Sequence, residues 1–162
     1  MDKSQQQCAP VYFHPRTKKL IQWIPEGTYA LLEHQDIDEM AAWGLIEKKV
    51  KGVLNYRPSM TGKYACIGTL RLLEYGIPVY DIDHPHFVKS RLRQGQTVGI
   101  AYGRLWGIEE NGAVFMSSLT EYTQEMVTMK LRMARRNFNR QFQLFVQNTV
   151  DHLHRELPEI LK

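Results

Sequence analysis

The sequence predicts a mixed α/β fold with a parallel core, an added antiparallel β element and one long C-terminal α-helix. Three observations carry that prediction. Between Thr28 and Ile82, apolar runs of strand length alternate with runs of helical period, and strand, helix, strand, helix, strand is the order of a parallel sheet. Between Thr97 and Ser117, three short strand-like runs separated by Gly-containing turns have the texture of a β-meander. From Leu119 to Leu157 neither Gly nor Pro occurs, which leaves nothing to break a helix of roughly 57 Å at 1.5 Å per residue.

Taken in order, residues 1–10 form a polar tail expected to be disordered, and the α/β domain spans 11–118. "VYFHP" and "KKLIQWI" read as short strands about a turn at Arg16 and Thr17, and a further strand runs from Thr28 to Glu33. "DIDEMAAWGLIEKK" is a helix: Asp36 and Glu39 have capping-box spacing, and Ile37, Met40, Ala41, Leu45 and Ile46 share a face. Lys48 and Lys49 close it at the negative end of the helix dipole. "VKGVLN" is the next strand, "IGTLRLLEYG" a helix closed by Gly76, and "IPVYDI" the strand after it. "PHFVKSRLRQG" is a short helix ended by Gly95.

Residues 119–162 form the long helix, for dimerisation or linkage to a further domain. Leu119, Tyr122, Met126, Met129 and Met133 make one stripe, and Phe138, Phe142, Phe145, Thr149 and Leu153 a second, out of phase with the first. The polar block Arg135, Arg136, Asn137, Asn139 and Arg140 lies between them. One stripe packs on the parent domain. Three phenylalanines are a poor solvated face, so the second is expected to meet another surface, the simplest being the same helix of a second copy. Antiparallel pairing is expected about an axis near Phe142, with the arginines at the rim.

At 162 residues and 43% hydrophobic content, the chain suits one domain with an appendage. Twenty-one Lys and Arg against 17 Asp and Glu, interspersed, give a net charge of +4, which does not call for a nucleic acid partner. Two cysteines, Cys8 and Cys66, without a Cys-x-x-Cys pair fit a reducing cytoplasm. No signal-peptide h-region and no run of ~18 apolar residues is present, so a soluble protein is expected, reaching a membrane through a partner.

The stretch "NYRPSMTGKY" between the second core strand and its helix is the place for chemistry. A Walker A loop would need Gly where Arg57 stands and Ser or Thr where Tyr64 stands, so a P-loop is excluded. Two readings remain. Ser59 and Thr61 bind backbone groups while Gly62 supplies a left-handed turn, or Asn55, Ser59, Thr61, Gly62, Lys63 and Tyr64 hold an anion, as a domain sensing a nucleotide or another phosphate-containing small molecule would. His34-x-Asp36-x-Asp38, His84-x-His86 and His152-x-His154 do not complete a metal site, because on a helix residues two apart point roughly 200° apart. No Gly-x-Ser-x-Gly elbow occurs, and Cys66 has no histidine near it in sequence, so no catalytic residue and no cofactor are assigned. Asp81 and Asp83 close a strand at the carboxyl edge, where ligands often sit and turns often start.

As a set, "RTKKL", "GTYALLEHQDIDEMAAWGLIEKKVKGVLN", "SMTGKY", "LLEYGIPVYD", "LRQGQTV" and "FVQNTVDHL" resemble the N-terminal region of SteA-like proteins, described as cytokinetic ring or septation proteins. The resemblance implies an assembly or regulatory module of cell division, with a membrane-anchored division protein as a partner. In that family the region precedes a thiamine-pyrophosphokinase-like domain, which is not in this sequence; the chain is therefore expected to be the front of a longer protein, an accessory half of such an enzyme, or a short form. The core is also similar, more distantly, to the swivelling β/β/α phosphohistidine domain. Counting back from Gly76-Ile77-Pro78, the place of that domain's histidine is taken by Ile67, so phosphoryl transfer is not expected. The loop has Lys63 where the SteA-like pattern has Arg, losing the fork that grips an oxyanion with two bonds.

Overall fold

The computed structural model describes residues 7–160. In chain order the elements are β1 (Cys8–Phe13), α1 (Thr17–Trp23), β2 (Tyr29–Leu32), α2 (Glu39–Glu47), β3 (Gly52–Asn55), α3 (Gly68–Glu74), β4 (Val79–Ile82), α4 (Pro85–Arg91), β5 (Thr97–Ala101), β6 (Arg104–Glu109), β7 (Gly112–Glu121) and α5 (Gln124–Ile160). Strands β2 and β3 are buried at every position because both faces are covered. Ala30, Leu32, Val53 and Val79 pack toward the helical layer with Leu20, Leu45 and Leu72. Their neighbours Tyr29, Leu31, Leu54 and Tyr80 pack inward with Val98, Leu105 and Met116.

Strands β1 to β4 pair in parallel, as β1 with β2, β2 with β3 and β3 with β4. The antiparallel strands do not form a separate element, as the sequence suggests, but close the same sheet into a barrel in the order β1-β2-β3-β4-β7-β6-β5. Closure depends on β7, whose first part pairs with β6 and whose last residues, Leu119 to Glu121, pair with β4. A register shift at Leu105 and Trp106 lets the ladder bend between the two. On the other side β5 pairs with β1, which completes the ring.

Four local expectations are corrected. Residues 8–10 of the supposed tail belong to β1, pairing with β5, because Ala9 and Val11 alternate into the barrel interior; residues 1–6 lie outside the described residues. "KKLIQWI" is helix α1, since Thr17, Leu20 and Ile24 are buried at helical spacing on one side. The cap of α2 is Asp38, whose carboxylate accepts from the Ala41 N–H at 2.7 Å, and not Asp36. With the helix starting two residues later, Met40 is 85% exposed and Ala42 takes its place in the core.

The fourth correction concerns α5. It starts at Gln124, because Leu119 belongs to β7 and Tyr122 is buried in the core, its N–H bonded to the Val79 carbonyl. The residues that α5 buries on the domain are Val127 and Ala134, with Leu131 half-buried, while Met129 and Met133 are largely exposed. That packed row, and not the stripe of Met126, Met129 and Met133, lies at steps of three and four from Phe138, so the face that holds α5 on the domain continues into the phenylalanine row. From Phe138 to Leu157 every side chain is exposed. Among the described residues no helix is long and apolar enough to cross a membrane.

Candidate functional site at the carboxyl edge of the parallel strands

The loop from β3 to α3 is stitched down by buried polar groups. Asn55, fully buried at the end of β3, uses its whole amide. It accepts from the N–H groups of His34 and Arg57, both at 3.1 Å, and donates to the His34 carbonyl at 2.8 Å and the Ser59 Oγ at 2.9 Å. Ser59, also fully buried, donates its hydroxyl to Asp81 Oδ1 at 2.7 Å and its backbone N–H to the same oxygen at 3.1 Å. The Tyr122 hydroxyl donates to Asp81 Oδ2 at 2.6 Å and accepts from the Met60 N–H at 3.2 Å. Asp81 thus ties β4, the loop and the lead into α5 together.

Asp36 plays the parallel part at the next turn. Its backbone is left-handed (φ 55°), a conformation aspartate tolerates, and its carboxylate accepts from the N–H of Thr61 at 2.8 Å and from its hydroxyl at 3.0 Å. Gly62 follows at φ 82°, supplying the left-handed turn. The start of α3 is closed: the Gly68 N–H donates to the Ile37 carbonyl at 3.0 Å, and a Cβ at Gly68 would stand 2.2 Å from that oxygen.

The six loop residues singled out in the sequence are therefore brought together, but in two groups. Asn55, Ser59 and Gly62 are buried and Thr61 half-buried, with the donors of Ser59 and Thr61 directed onto carboxylates. Lys63 and Tyr64 are exposed, Tyr64 by 62%. Beside them a recess of about 510 Å³ is lined by Thr61, Gly62 and Lys63 and by Met133, Asn137 and Gln141 of α5, with Asn137 donating to the Lys63 carbonyl at 3.1 Å.

Burial dominates the electrostatics. It pushes the Asp81 carboxyl above the usual carboxylate range against the lowering pull of the Tyr122 and Ser59 hydrogen bonds and of the Lys130 charge. It also pushes the Tyr122 hydroxyl up, with the Asp81 bond adding to the effect. The Cys66 thiol is raised by burial and by the charges of Asp36 and Asp38, which keeps it in the less nucleophilic form. Two of the histidines have local partners: the Thr17 hydroxyl and His34 Nδ1 are 2.8 Å apart, and His152 Nε2 lies 3.9 Å from Glu156. Among the described residues no three His, Cys, Asp or Glu side chains gather as a metal site would require.

A second site was not anticipated. Outside the carboxyl ends of β1, β2 and β3 a cavity of about 480 Å³ opens over the barrel interior. Val11, Phe13 and Leu31 form its floor, and Leu92, Lys89 and Arg93 overhang it from α4 and the turn after it. Lys89 pairs with Glu33 at 2.6 Å and lies 4.9 Å from the centre of the Tyr56 ring. Glu33 and Tyr56 are the first residues after β2 and β3, the positions from which α/β sheets present ligand groups. That placement was the available signal; the overhang by α4 was not readable from local pattern.

No family model matches the chain, and no curated protein matches it. The solved structure of 3-isopropylmalate dehydratase (leuD) from Methanocaldococcus jannaschii is similar to it with a TM-score of 0.48 and 9% identity, covering 88% of this chain and 98% of that one. A likeness at that level carries no inference about this chain.

Proposed function

We propose that the protein is a non-catalytic assembly module that pairs with a second copy of itself through the distal half of α5. The observation that carries this is the exposure of one unbroken apolar row: Phe138 at 66%, Phe142 at 56% and Phe145 at 67%, followed by Thr149 and Leu153 on the same side. Leaving such side chains in water forgoes about 1.5 to 3 kcal/mol each. The row continues the face by which Val127 and Ala134 are buried on the domain, so a helix laid along it extends an existing packing surface.

Antiparallel pairing of two copies is favoured by charge as well as by apolar match. With the two-fold axis between Phe145 and Val146, rather than at Phe142, Phe138 meets Leu153 of the second copy and Phe142 meets its Thr149. Arg135 and Glu156, both in the same row, then face each other at each end. An axis at Phe142 leaves Arg135 opposite Thr149. The core of the contact is hydrophobic, so the association is expected to tolerate salt.

The resemblance to SteA-like proteins supplies the setting, a cytoplasmic septation factor recruited by a membrane-anchored division protein. In the same reading, the parallel strands β1 to β4 under α1 to α3 are a relative of the swivelling β/β/α core, with Ile67 in place of its phosphorylated histidine. A second reading, sensing of a phosphate-containing anion, is favoured by the open recess beside Lys63. The assembly reading is tested by sedimentation: the wild-type chain is expected to be a dimer at tens of micromolar, and Phe142→Asp a monomer with unchanged circular dichroism. A monomeric wild-type chain overturns the homodimer.

A further inference from the structure

We infer that the cavity at the open end of the barrel is a binding site for a small aryl carboxylate. Its volume, about 480 Å³, is that of a small-ligand pocket, and its place outside the carboxyl ends of three parallel strands is where such sheets bind ligands. The floor is apolar and partly aromatic. Phe13 and Tyr56 meet edge to face with ring centres 5.6 Å apart, and Leu31 and Leu92 flank them. A flat apolar ring fits against that pair better than a polar body would.

Two polar groups that line the cavity, the Tyr56 hydroxyl and the Arg93 guanidinium, have no hydrogen-bond partner among the described residues. Tyr56 is 92% buried in the sense that only 8% of it is exposed, yet its hydroxyl makes no hydrogen bond among the described residues. Burial, with the charge of Glu33 adding to it, pushes that hydroxyl up to about 12, so it stays a neutral donor. The Arg93 guanidinium likewise has no ion pair or side-chain hydrogen bond among the described residues. Lys89 is neutralised by Glu33, so Arg93 leaves the rim with one positive charge in excess. One fork-shaped cation with one neutral hydroxyl donor suits a singly charged, planar carboxylate. Gln94 is not available to the ligand, because its amide is bonded both ways to the Phe13 backbone at 2.7 Å, which holds the rim in place.

The site is independent of the α5 row and stands whether or not the chain dimerises. The test is a titration of the full chain with phenylacetate, followed by amide NMR, with benzyl alcohol and inorganic phosphate as controls. Saturable shifts are expected at Phe13, Leu31, Glu33 and Tyr56, with half-saturation at or below about 10 mM. Arg93→Ala is expected to weaken binding about tenfold and Tyr56→Phe by a smaller factor, with both spectra otherwise unchanged. Absence of saturable shifts, or equal binding by Arg93→Ala, overturns the inference. So does binding of phosphate as tightly as phenylacetate, because the apolar floor would then contribute nothing.

Discussion

Burying the Asp81 carboxyl between Ser59 and Tyr122 couples stability to pH, and the sign follows from which influence is larger. The hydrogen bonds favour the charged form, but burial outweighs them and raises the group above its unfolded value. Its contribution to stability is therefore fully present below the unfolded value, in the ordinary aspartate range, and is lost as pH rises through the folded value. Asp81→Asn keeps the shape and removes this titration. In urea unfolding at a series of pH values from mildly acidic to neutral, the stability of wild type relative to Asp81→Asn is expected to fall as pH rises. A gap that moves in favour of wild type as pH rises would show that the hydrogen bonds, not burial, dominate.

At the scale of the element, α5 is one helix with two solvents. Its first turns are held by Val127 and Ala134 against the domain, and past the Asn137 bond to the Lys63 carbonyl every side chain from Phe138 to Leu157 is exposed. Helix propensity alone is a weak hold on an isolated segment, and most helical stability comes from packing of the apolar face. The proposed register is checked with a short bis-maleimide in a background of Cys8→Ser and Cys66→Ser. Val146→Cys, beside the two-fold axis, is expected to cross-link efficiently between copies. Phe142→Cys would be displaced from its mate by roughly 10 Å along the axis and is expected to cross-link poorly. The reverse pattern would move the axis to Phe142.

Across the whole molecule, stability resides in the barrel and its helical layer, with two apolar clusters on the two faces of β2, β3 and β4. Among the described residues none after Ala134 is in the core. A chain ending at Asn137 is therefore expected to unfold in urea within about 0.5 kcal/mol of the monomeric Phe142→Asp protein. Phe142→Asp is the proper reference, because dimerisation would add concentration-dependent stability to wild type. A larger loss on truncation would mean that the distal helix supports the domain directly.

Hydrophobic period and helix breakers determined much of this from the sequence alone: β2, α2, β3, α3 and β4 in order, Gly76 closing α3 at φ 75°, the three-stranded meander, and a long helix with an exposed phenylalanine row. Those features depend on spacing within about ten residues, which local pattern records. Long-range contact decided the rest. Pairing of β7 with both β4 and β6, and of β5 with β1, turned a sheet and an added meander into a closed barrel. The same closure drew Cys8 to Pro10 out of the polar N-terminal segment and took Leu119 from the helix into a strand. Likewise Ser59 and Thr61, legible as hydroxyls in a turn, received their partners Asp81 and Asp36 from 22 and 25 residues away. Where a donor points is set by the carboxylate that the fold brings against it, and no local spacing encodes that.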